Sequence, residues 1–267
     1  MMDWVQVLVL SFVQGITEFL PVSSSAHLIL VPGLLGWKDQ GLAFDIAMHL
    51  GTLMAVIIYF RLELFRMIMD FYSSLKGKGI SANARYLWFI GFATIPVGLF
   101  GLLMKPVVET ALRAPWVIAL TTIGFGLLLW FAEKKGNQTR EEKDLNWKDV
   151  WVIGFSQALS LIPGTSRSGV TLTAGLFRGL TREAAARFSF LLSIPVIILA
   201  GGLEMLSLIK SHEIVDWKAL ALGFCLSGIS GYICIYYFLK LLNRKKLFPF
   251  VLYRIGLGIF IIFRFYF

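Results

Sequence analysis

The sequence predicts an all-α polytopic membrane protein, with six transmembrane helices and two re-entrant helix–loop–helix hairpins arranged as an inverted-topology repeat. Of the 267 residues, 57% are hydrophobic and only 15% are charged, whereas a soluble domain carries about 25% charged residues. Apolar segments recur along the whole chain, and polar strings interrupt two of them. Basic residues concentrate in alternate connections, which is typical of cytoplasmic loops.

The apolar segments divide into full spans and short pairs. A helix needs about 20 residues to cross the hydrocarbon. The segments 4–20 and 22–36 are shorter, as are 149–162 and 169–180, and each pair meets at a polar string. We interpret each pair as a re-entrant hairpin, because irregular chain survives at membrane depth only where it lines a cavity within the protein. The predicted full spans are 41–60, 86–104, 115–132, 188–208, 219–239 and 247–266.

The lysines and arginines orient these segments. The connections near 105–113 and 209–218 hold two basic residues each and are assigned to the exterior. The net charge of +9 arises mostly from the cytoplasmic loops, so no nucleic-acid partner is expected. Both chain termini are then external, and the first hairpin enters from outside while the second enters from the cytoplasm. The basic connections assigned to the cytoplasm are 61–85, 133–148, 178–187 and 240–246.

The two halves of the chain resemble each other. Aligning Pro21 with Pro163 places Ser24 on Ser166, and a glutamine precedes each string. Each half contains one hairpin and three spans, and an odd number of crossings inverts the second half relative to the first. We therefore expect a single membrane domain over 1–267, with repeat one, a cytoplasmic linker and repeat two at 1–132, 133–148 and 149–267.

The first polar string, Pro21-Val-Ser-Ser-Ser-Ala-His27, follows a carboxylate within an apolar helix. Glu18 stands four residues after Gln14, so both lie on one helix face. A charged residue at the centre of a membrane helix costs about 2.5 to 3.5 kcal/mol on insertion scales and needs a partner or a cavity. We interpret Glu18 as a functional residue; the alternative is an interfacial glutamate that snorkels to the external surface.

Hydroxyl groups and a histidine stand at the start of the helix after this string. Ser23, Ser24 and Ser25 are candidates for binding phosphate, although at least one of them is expected to cap the helix. His27 lies one turn beyond Ser24 on the same face. A neutral imidazole there could take a proton from Ser24, attack phosphorus itself or bind a metal. The alternative for His27 is a packing role.

The second string, Pro163-Gly-Thr-Ser-Arg-Ser-Gly169, has the composition of an oxyanion site. Glycines let the backbone approach a ligand, hydroxyls and free N–H groups at a helix start bind oxyanions, and Arg167 adds a bidentate fork for phosphate. The alternative is that Arg167 joins two helices through an internal carboxylate. The other predicted phosphate-binding residues here are Gly164, Thr165, Ser166, Ser168 and Thr171.

Other residues within apolar segments leave alternatives open. Asp45 and His49 are either a supporting pair or a structural pair that joins helices. Glu204 and Arg254 either pair internally or snorkel to the surface. A stripe of small residues at a spacing of four either packs internally or forms a homodimer interface; its members are Gly223, Ser227 and Gly231.

These features suit a polyanionic head group whose apolar tail stays in the bilayer. Two helix N-termini that converge from opposite faces each carry about +0.5 of a charge. Arg167 adds a full positive charge, and a divalent cation on Glu18 would add two. Phosphoryl transfer needs mostly positioning and charge neutralisation, which this set supplies.

The two strings, the first taken from Gln14 to His27, resemble the signature motifs of the bacterial undecaprenyl-diphosphatase family of the bacitracin-resistance type. The likeness extends over essentially the whole chain, including 181–190 and 249–254. The resemblance implies a multi-pass enzyme of the bacterial inner membrane, with its active site open to the exterior. Such an enzyme removes the terminal phosphate of undecaprenyl diphosphate, a long-chain polyprenyl diphosphate, and so recycles the lipid carrier for peptidoglycan.

The resemblance also implies a divalent cation, Mg²⁺ or Ca²⁺. The acidic motif of the family falls on Gln14 and Glu18, which are the implied metal ligands. Many members carry glutamate where this chain has Gln14, which could still ligate a hard cation through its amide oxygen. The proposed serine and histidine of the family fall on Ser24 and His27. Its phosphate-binding loop falls on positions 166 and 167, with Thr171 nearby.

The leading hypothesis is therefore metal-assisted hydrolysis at the terminal phosphorus. Attack by Ser24 with His27 as its base is favoured, because their spacing allows a hydrogen bond on one helix face. Direct attack by His27 and attack by a metal-bound water stay open. The second hypothesis is a polyprenyl-phosphate flippase or anion carrier, because inverted repeats with broken helices are transporter architecture. A structural or lipid-binding protein is a third alternative.

Overall fold

The computed structural model describes residues 2–110, 112, 114–211, 216–242 and 245–266. Within these residues the fold is all-helical, with eleven α-helices and two short 3₁₀ helices, Glu142–Asp144 and Leu159–Leu161. The α-helices are α1 Trp4–Phe19, α2 Ser24–Leu35, α3 Leu42–Tyr59, α4 Arg61–Leu75, α5 Ala82–Thr110, α6 Pro115–Lys135, α7 Trp147–Ala158, α8 Arg167–Phe177, α9 Arg182–Ser211, α10 Trp217–Leu242 and α11 Phe248–Tyr266.

Six of these helices are long and apolar enough to cross a membrane, namely α3, α5, α6, α9, α10 and α11. The six predicted spans are thereby confirmed. Helices α5 and α9 begin at Ala82 and Arg182, earlier than the predicted starts at 86 and 188. Their polar first turns continue the helix beyond the apolar stretch that the prediction followed.

The prediction of 61–85 as a connection was incomplete, because α4 occupies most of it. This helix exposes an apolar face that includes Leu62, Phe65, Met69 and Tyr72. Its arginines suggested a loop, yet a helix that mixes basic and apolar faces is typical of one that lies along a membrane interface.

The four short helices form two pairs, each joined by a polar string. Helices α1 and α2 contain 16 and 12 residues, and α7 and α8 contain 12 and 11. At 1.5 Å per residue each is at most about 24 Å long, which is short of the roughly 30 Å of hydrocarbon. Their lengths agree with re-entrant hairpins, and the faces from which they enter stay a prediction.

Each hairpin packs against a long helix of the other half. Helix α1 packs on α10, and α7 packs on α5. These contacts are close enough to require glycine. A Cβ on Gly15 would lie 2.6 Å from the carbonyl oxygen of Ser227, and one on Gly154 would lie 2.8 Å from that of Ala93. This reciprocal packing is the arrangement that two related halves would produce.

The stripe of small residues on α10 packs internally. Ser227 is fully buried and donates a hydrogen bond of 2.9 Å to the carbonyl oxygen of Met48. A Cβ on Gly223 would lie 2.6 Å from the ring of Phe44, and one on Gly231 would lie 3.2 Å from the ring of Phe19. The alternative of a homodimer through this stripe was therefore wrong, because α1 and α3 already cover it.

The linker is fixed to the second hairpin by charge. The Arg140 guanidinium donates to both oxygens of the buried Asp149 carboxylate, at 3.0 and 2.6 Å, and Arg178 donates to the same carboxylate at 2.7 Å. Asp149 belongs to the first turn of α7 and also caps it, accepting from the Asn146 backbone N–H at 3.0 Å. Two guanidinium groups thus satisfy one buried carboxylate and hold the linker against α7 and α8.

Candidate active site

The two hairpin tips share one local backbone arrangement. Ser23 and Ser166 are the N-caps of α2 and α8, with φ of 75° and 71°, a left-handed conformation that is uncommon for serine. Each cap hydroxyl accepts from the backbone N–H three residues later, at 3.4 and 3.1 Å. Each also lies 3.2 Å from the hydroxyl two residues later, on Ser25 and Ser168.

This shared geometry corrects the predicted alignment of the halves. The structure makes Ser23 equivalent to Ser166, so Ser24 is equivalent to Arg167. The prolines misled the alignment, because the first string has one residue fewer between its proline and its cap. The first helical residues of the two converging helices are therefore a hydroxyl and a guanidinium.

Both of these residues meet on the Glu18 carboxylate. The Ser24 hydroxyl donates to Oε2 at 2.7 Å, and the Arg167 guanidinium donates to Oε1 at 2.9 Å. The Gln14 amide donates to Oε2 at 3.1 Å, and Nε2 of His49 lies 3.9 Å from the same oxygen. Glu18 is only 8% exposed, so neighbouring side chains replace the water that an ionised carboxylate needs.

Arg167 also donates to the carbonyl oxygen of Ser189 at 3.0 Å. Its pairing with Glu18 is the internal carboxylate contact that the alternative interpretation expected. That contact is also compatible with a binding role, because both side chains line a cavity of about 190 Å³. The other polar residues that line the cavity are Ser23, Ser24, Ser25, His49, Ser160, Ser166 and Glu204.

His27 does not contact Ser24, so the predicted hydrogen bond between them was wrong. Nδ1 of His27 lies 2.7 Å from the carbonyl oxygen of Ser23, and Nε2 lies 2.5 Å from the hydroxyl of Tyr253. Because a carbonyl only accepts, the neutral ring carries its hydrogen on Nδ1 and accepts at Nε2. Nε2 thus holds the tip of the first hairpin against α11 and Nδ1 bonds within that tip, while the Ser24 hydroxyl donates to the Glu18 carboxylate.

Several predicted phosphate-binding residues support the loops from outside the cavity. The Ser168 hydroxyl donates to the carbonyl oxygen of Leu20 at 2.8 Å. The Thr171 hydroxyl donates to the carbonyl oxygen of Arg167 at 2.8 Å. Gly164 and Thr165 do not line the cavity, and their carbonyl oxygens accept from Arg254 at 2.9 and 3.0 Å.

Arg254 is fully buried. The sequence left open whether it pairs internally or snorkels to the surface. Its guanidinium joins both hairpins, because Nη1 also donates to the carbonyl oxygen of Pro21 at 3.1 Å. Nε donates to the carbonyl oxygen of Thr122 at 3.0 Å. An arginine within an apolar segment is by itself a signal of function, but its partners are backbone carbonyls, which no residue pattern reveals.

The side-chain oxygens of Glu18 and Gln14 are of the kind that bind a hard cation. Among the described residues no group of three or more histidine, cysteine, aspartate or glutamate side chains could hold a metal. Gln14 is fully buried, and its Oε1 has no hydrogen-bond partner. Mg²⁺ is commonly held by one or two carboxylates together with substrate phosphates and water. One Glu18 oxygen and Oε1 of Gln14 match the protein's share of such a set.

An apolar groove adjoins the polar cavity. It has a volume of about 320 Å³ and shares Val196, Ala200 and Glu204 with the cavity. Gly98 and Gly101 on α5 line it together with Leu199 of α9 and Leu161. The arrangement places a polar cavity directly beside an apolar groove.

Comparison with known proteins shows which family the chain resembles. Residues 7–260 match the model of the family described as bacitracin resistance protein BacA. An undecaprenyl-diphosphatase of Thioalkalivibrio sulfidiphilus is 56% identical over 99% of this chain and 100% of its own length. Undecaprenyl-diphosphatase 2 of Stutzerimonas stutzeri is 57% identical over 96% of both chains, and the undecaprenyl-diphosphatase of Campylobacter concisus is 50% identical over 99% and 100%. On this evidence the chain belongs to the bacitracin resistance protein BacA family.

Proposed function

We propose that the chain hydrolyses undecaprenyl diphosphate to undecaprenyl phosphate and inorganic phosphate in the bacterial inner membrane. The product is the lipid carrier for peptidoglycan synthesis, and its recycling confers resistance to bacitracin. The observation that carries the mechanism is the meeting of Ser24 and Arg167 on Glu18, inside a cavity that adjoins an apolar groove.

Ser24 is the proposed nucleophile and Glu18 its base. The hydroxyl already donates to the carboxylate at 2.7 Å, so the proton passes to Glu18 as Oγ attacks the terminal phosphorus. The bond from that phosphorus to the bridging oxygen breaks, and undecaprenyl phosphate leaves with the electron pair. Water then attacks the phosphorus of the phosphoserine and the bond from phosphorus to Oγ breaks. Glu18 returns its proton to Oγ, and both hydrogens of the water leave with the inorganic phosphate. This assigns Glu18 the role that the sequence analysis favoured for His27.

Arg167 neutralises the diphosphate. Its guanidinium is nine-tenths buried and adjoins the N-terminus of α8, so a phosphate in the cavity meets a fixed charge and a helix dipole together. A divalent cation, Mg²⁺ or Ca²⁺, would be held by Glu18 and Gln14 and would supply further neutralisation of the diphosphate oxygens. His27 positions the first hairpin in this scheme.

The apolar groove receives the first isoprenoid units of the substrate. The groove and the cavity share Val196 and Ala200. The head group would therefore contact the polar side chains of the cavity while the tail contacts the apolar side chains of the groove. The distribution of the basic connections supports an opening of the cavity toward the exterior, by the positive-inside rule.

Phosphate release from a long-chain polyprenyl diphosphate by the purified protein in detergent tests this function. We expect release that depends on Mg²⁺ or Ca²⁺ and is lost in Glu18→Gln and Arg167→Ala. Glu133→Gln is the matched control, because Glu133 is also a buried carboxylate paired with an arginine but lies outside the cavity. Absence of release from folded parent protein, across lipids and metals, would overturn the proposal in favour of a lipid carrier.

A further inference from the structure

A second cavity lies at the start of α5, apart from the active site. It has a volume of about 260 Å³ and is bounded by α4, α5 and the linker. We call it the cationic cavity, because Arg66, Arg85 and Lys143 line it together with Tyr86. Gly98, at the apolar groove, follows Tyr86 by 12 residues, which is about 18 Å along the helix.

Two arginines of the cationic cavity have no acidic partner. Within the described part of the chain, neither Arg66 nor Arg85 forms an ion pair, whereas Lys143 pairs with Glu141 at 2.9 Å. Both arginines come from different elements, α4 and α5, and both line the same space. A planar guanidinium with free donors is suited to bidentate recognition of phosphate.

The two carboxylates that line the cationic cavity share one arginine. Arg187 donates to Glu63 at 2.6 Å and to Glu142, and its guanidinium also lies 5.2 Å from the ring centre of Phe60. Burial raises the pKa of the Glu142 carboxyl, while Arg187 opposes that shift. Three cationic side chains and two carboxylates line the cavity, so the formal charge of the lining is +1.

Tyr86 supplies an unused donor in the same wall. Its side chain is only 8% exposed, and its hydroxyl has no hydrogen-bond partner. The ring is held edge-on against Phe188, with centroids 5.6 Å apart. A buried hydroxyl without a partner is uncommon and calls for an explanation, and a ligand oxygen in the cationic cavity would provide one.

The surroundings of the cationic cavity match the membrane surface. Helix α4 exposes Leu62, Phe65 and Met69 and carries Arg66, which is the pattern of a helix that lies at the head-group level. The basic connection 61–85 assigns this side to the cytoplasm, where anionic lipids give the leaflet its negative surface potential.

We propose that the cationic cavity binds a phosphate-bearing anion, the head group of an anionic phospholipid, through Arg66, Arg85 and the Tyr86 hydroxyl. Free inorganic phosphate shares this chemistry, and the experiment distinguishes the two sources. The site is independent of hydrolysis, since none of its residues lines the active-site cavity.

The test measures lipid binding to the full chain in nanodiscs of phosphatidylcholine, prepared with and without phosphatidylglycerol. Native mass spectrometry then identifies the lipid that the protein retains. We expect phosphatidylglycerol to be retained, and Arg66→Ala with Arg85→Ala to weaken retention by about fivefold for each arginine. The matched control is Lys76→Ala with Lys78→Ala, which removes the same charge from exposed positions just beyond α4. Tyr86→Phe tests the hydroxyl alone, and hydrolytic activity reports that each variant is folded.

Each outcome decides the proposal. Loss of phosphatidylglycerol in the arginine variant and in Tyr86→Phe, with retention in the lysine variant, supports a lipid head group. Binding of inorganic phosphate to the parent in phosphatidylcholine alone, lost in the arginine variant, supports the phosphate chemistry with the free anion as its source. Equal loss in the arginine and lysine variants, or no selectivity for either anion, overturns it.

Discussion

The two hairpin tips have the same backbone arrangement and different chemistry. Ser23 and Ser166 adopt the same left-handed conformation and cap their helices in the same way. The residues that follow them are Ser24 and Arg167, and the position in the second half equivalent to Glu18 is Leu161. The first hairpin thus supplies the hydroxyl and the carboxylate, and the second supplies the guanidinium.

This difference shows how two hairpins with the same backbone arrangement form a site whose two sides carry different chemical groups. The shared conformation brings two helix N-termini together, which is a general device for binding anions. Reaction needs unlike groups at that point: one that attacks, one that accepts a proton and one that holds charge. Variants of single residues, each compared with a matched control, test this division of roles.

The largest effect is expected at the first residue of α2. Ser24→Ala removes the proposed nucleophile, and phosphate release should fall by about 10³-fold or more. The matched control is Ser11→Ala, because Ser11 is a buried serine of the same hairpin whose hydroxyl donates only to the carbonyl oxygen of Val7, at 2.6 Å. Rapid-quench labelling should trap phosphoserine in the parent. A label on another residue, or similar activity in both variants, would contradict the role of Ser24.

The next effect concerns the residue that joins the hairpins. Arg254→Met should lower both thermal stability and activity, because it leaves buried carbonyl oxygens of both tips unpaired, at a cost of about 1 to 3 kcal/mol each. Thermal unfolding in detergent measures the loss. Arg264→Met is the control on the same helix, since Arg264 is exposed. Equal unfolding temperatures in the two variants would show that Arg254 does not hold the tips together.

The sequence was informative where the free-energy cost of placing a group in the membrane limits which residues can occur there. The six spans followed from length and apolar content, Glu18 from the cost of a charge at membrane depth, and Arg167 from the oxyanion-binding composition of its string. Both line the cavity. Their catalytic roles stay a proposal, but their convergence is a property of the fold.

The sequence was misleading where a side chain had several hydrogen-bond partners within reach and the fold decided which one it contacts. Helical spacing allowed a bond between Ser24 and His27, yet each found a different acceptor or donor, on Glu18 and on Tyr253. Tyr253 lies 226 residues from His27, so local spacing carries no trace of that contact. The amphipathic helix α4 was not predicted, because its basic residues resemble those of a loop.

A moderate effect is expected at the apolar groove, where the halves meet through α5 and α9. Gly101→Leu should raise KM for a long-chain polyprenyl diphosphate about tenfold, because a side chain there fills the groove and removes apolar burial of roughly two CH₂ groups. Gly91→Leu is the control on the same helix, since nothing lies within 4 Å of a Cβ at Gly91. Steady-state kinetics with a polyprenyl diphosphate and with a diphosphate monoester of a short polar alcohol measure the change. A similar rise for the substrate without an isoprenoid chain would argue against a tail site in the groove.

The smallest effect is expected at two glutamines that occupy equivalent places in the two halves. Gln14 and Gln157 are both fully buried with an unpartnered Oε1, but only Gln14 donates to Glu18. Gln14→Ala should weaken Mg²⁺ binding by about fivefold, since a single neutral ligand is lost while the carboxylate stays. Gln157→Ala should leave Mg²⁺ binding unchanged, because the equivalent of Glu18 in that half is a leucine. Thermal stabilisation by Mg²⁺ measures binding without turnover. Equal weakening in both variants would mean that the glutamines act by packing, whereas an effect confined to Gln14 would place the cation beside the first hairpin.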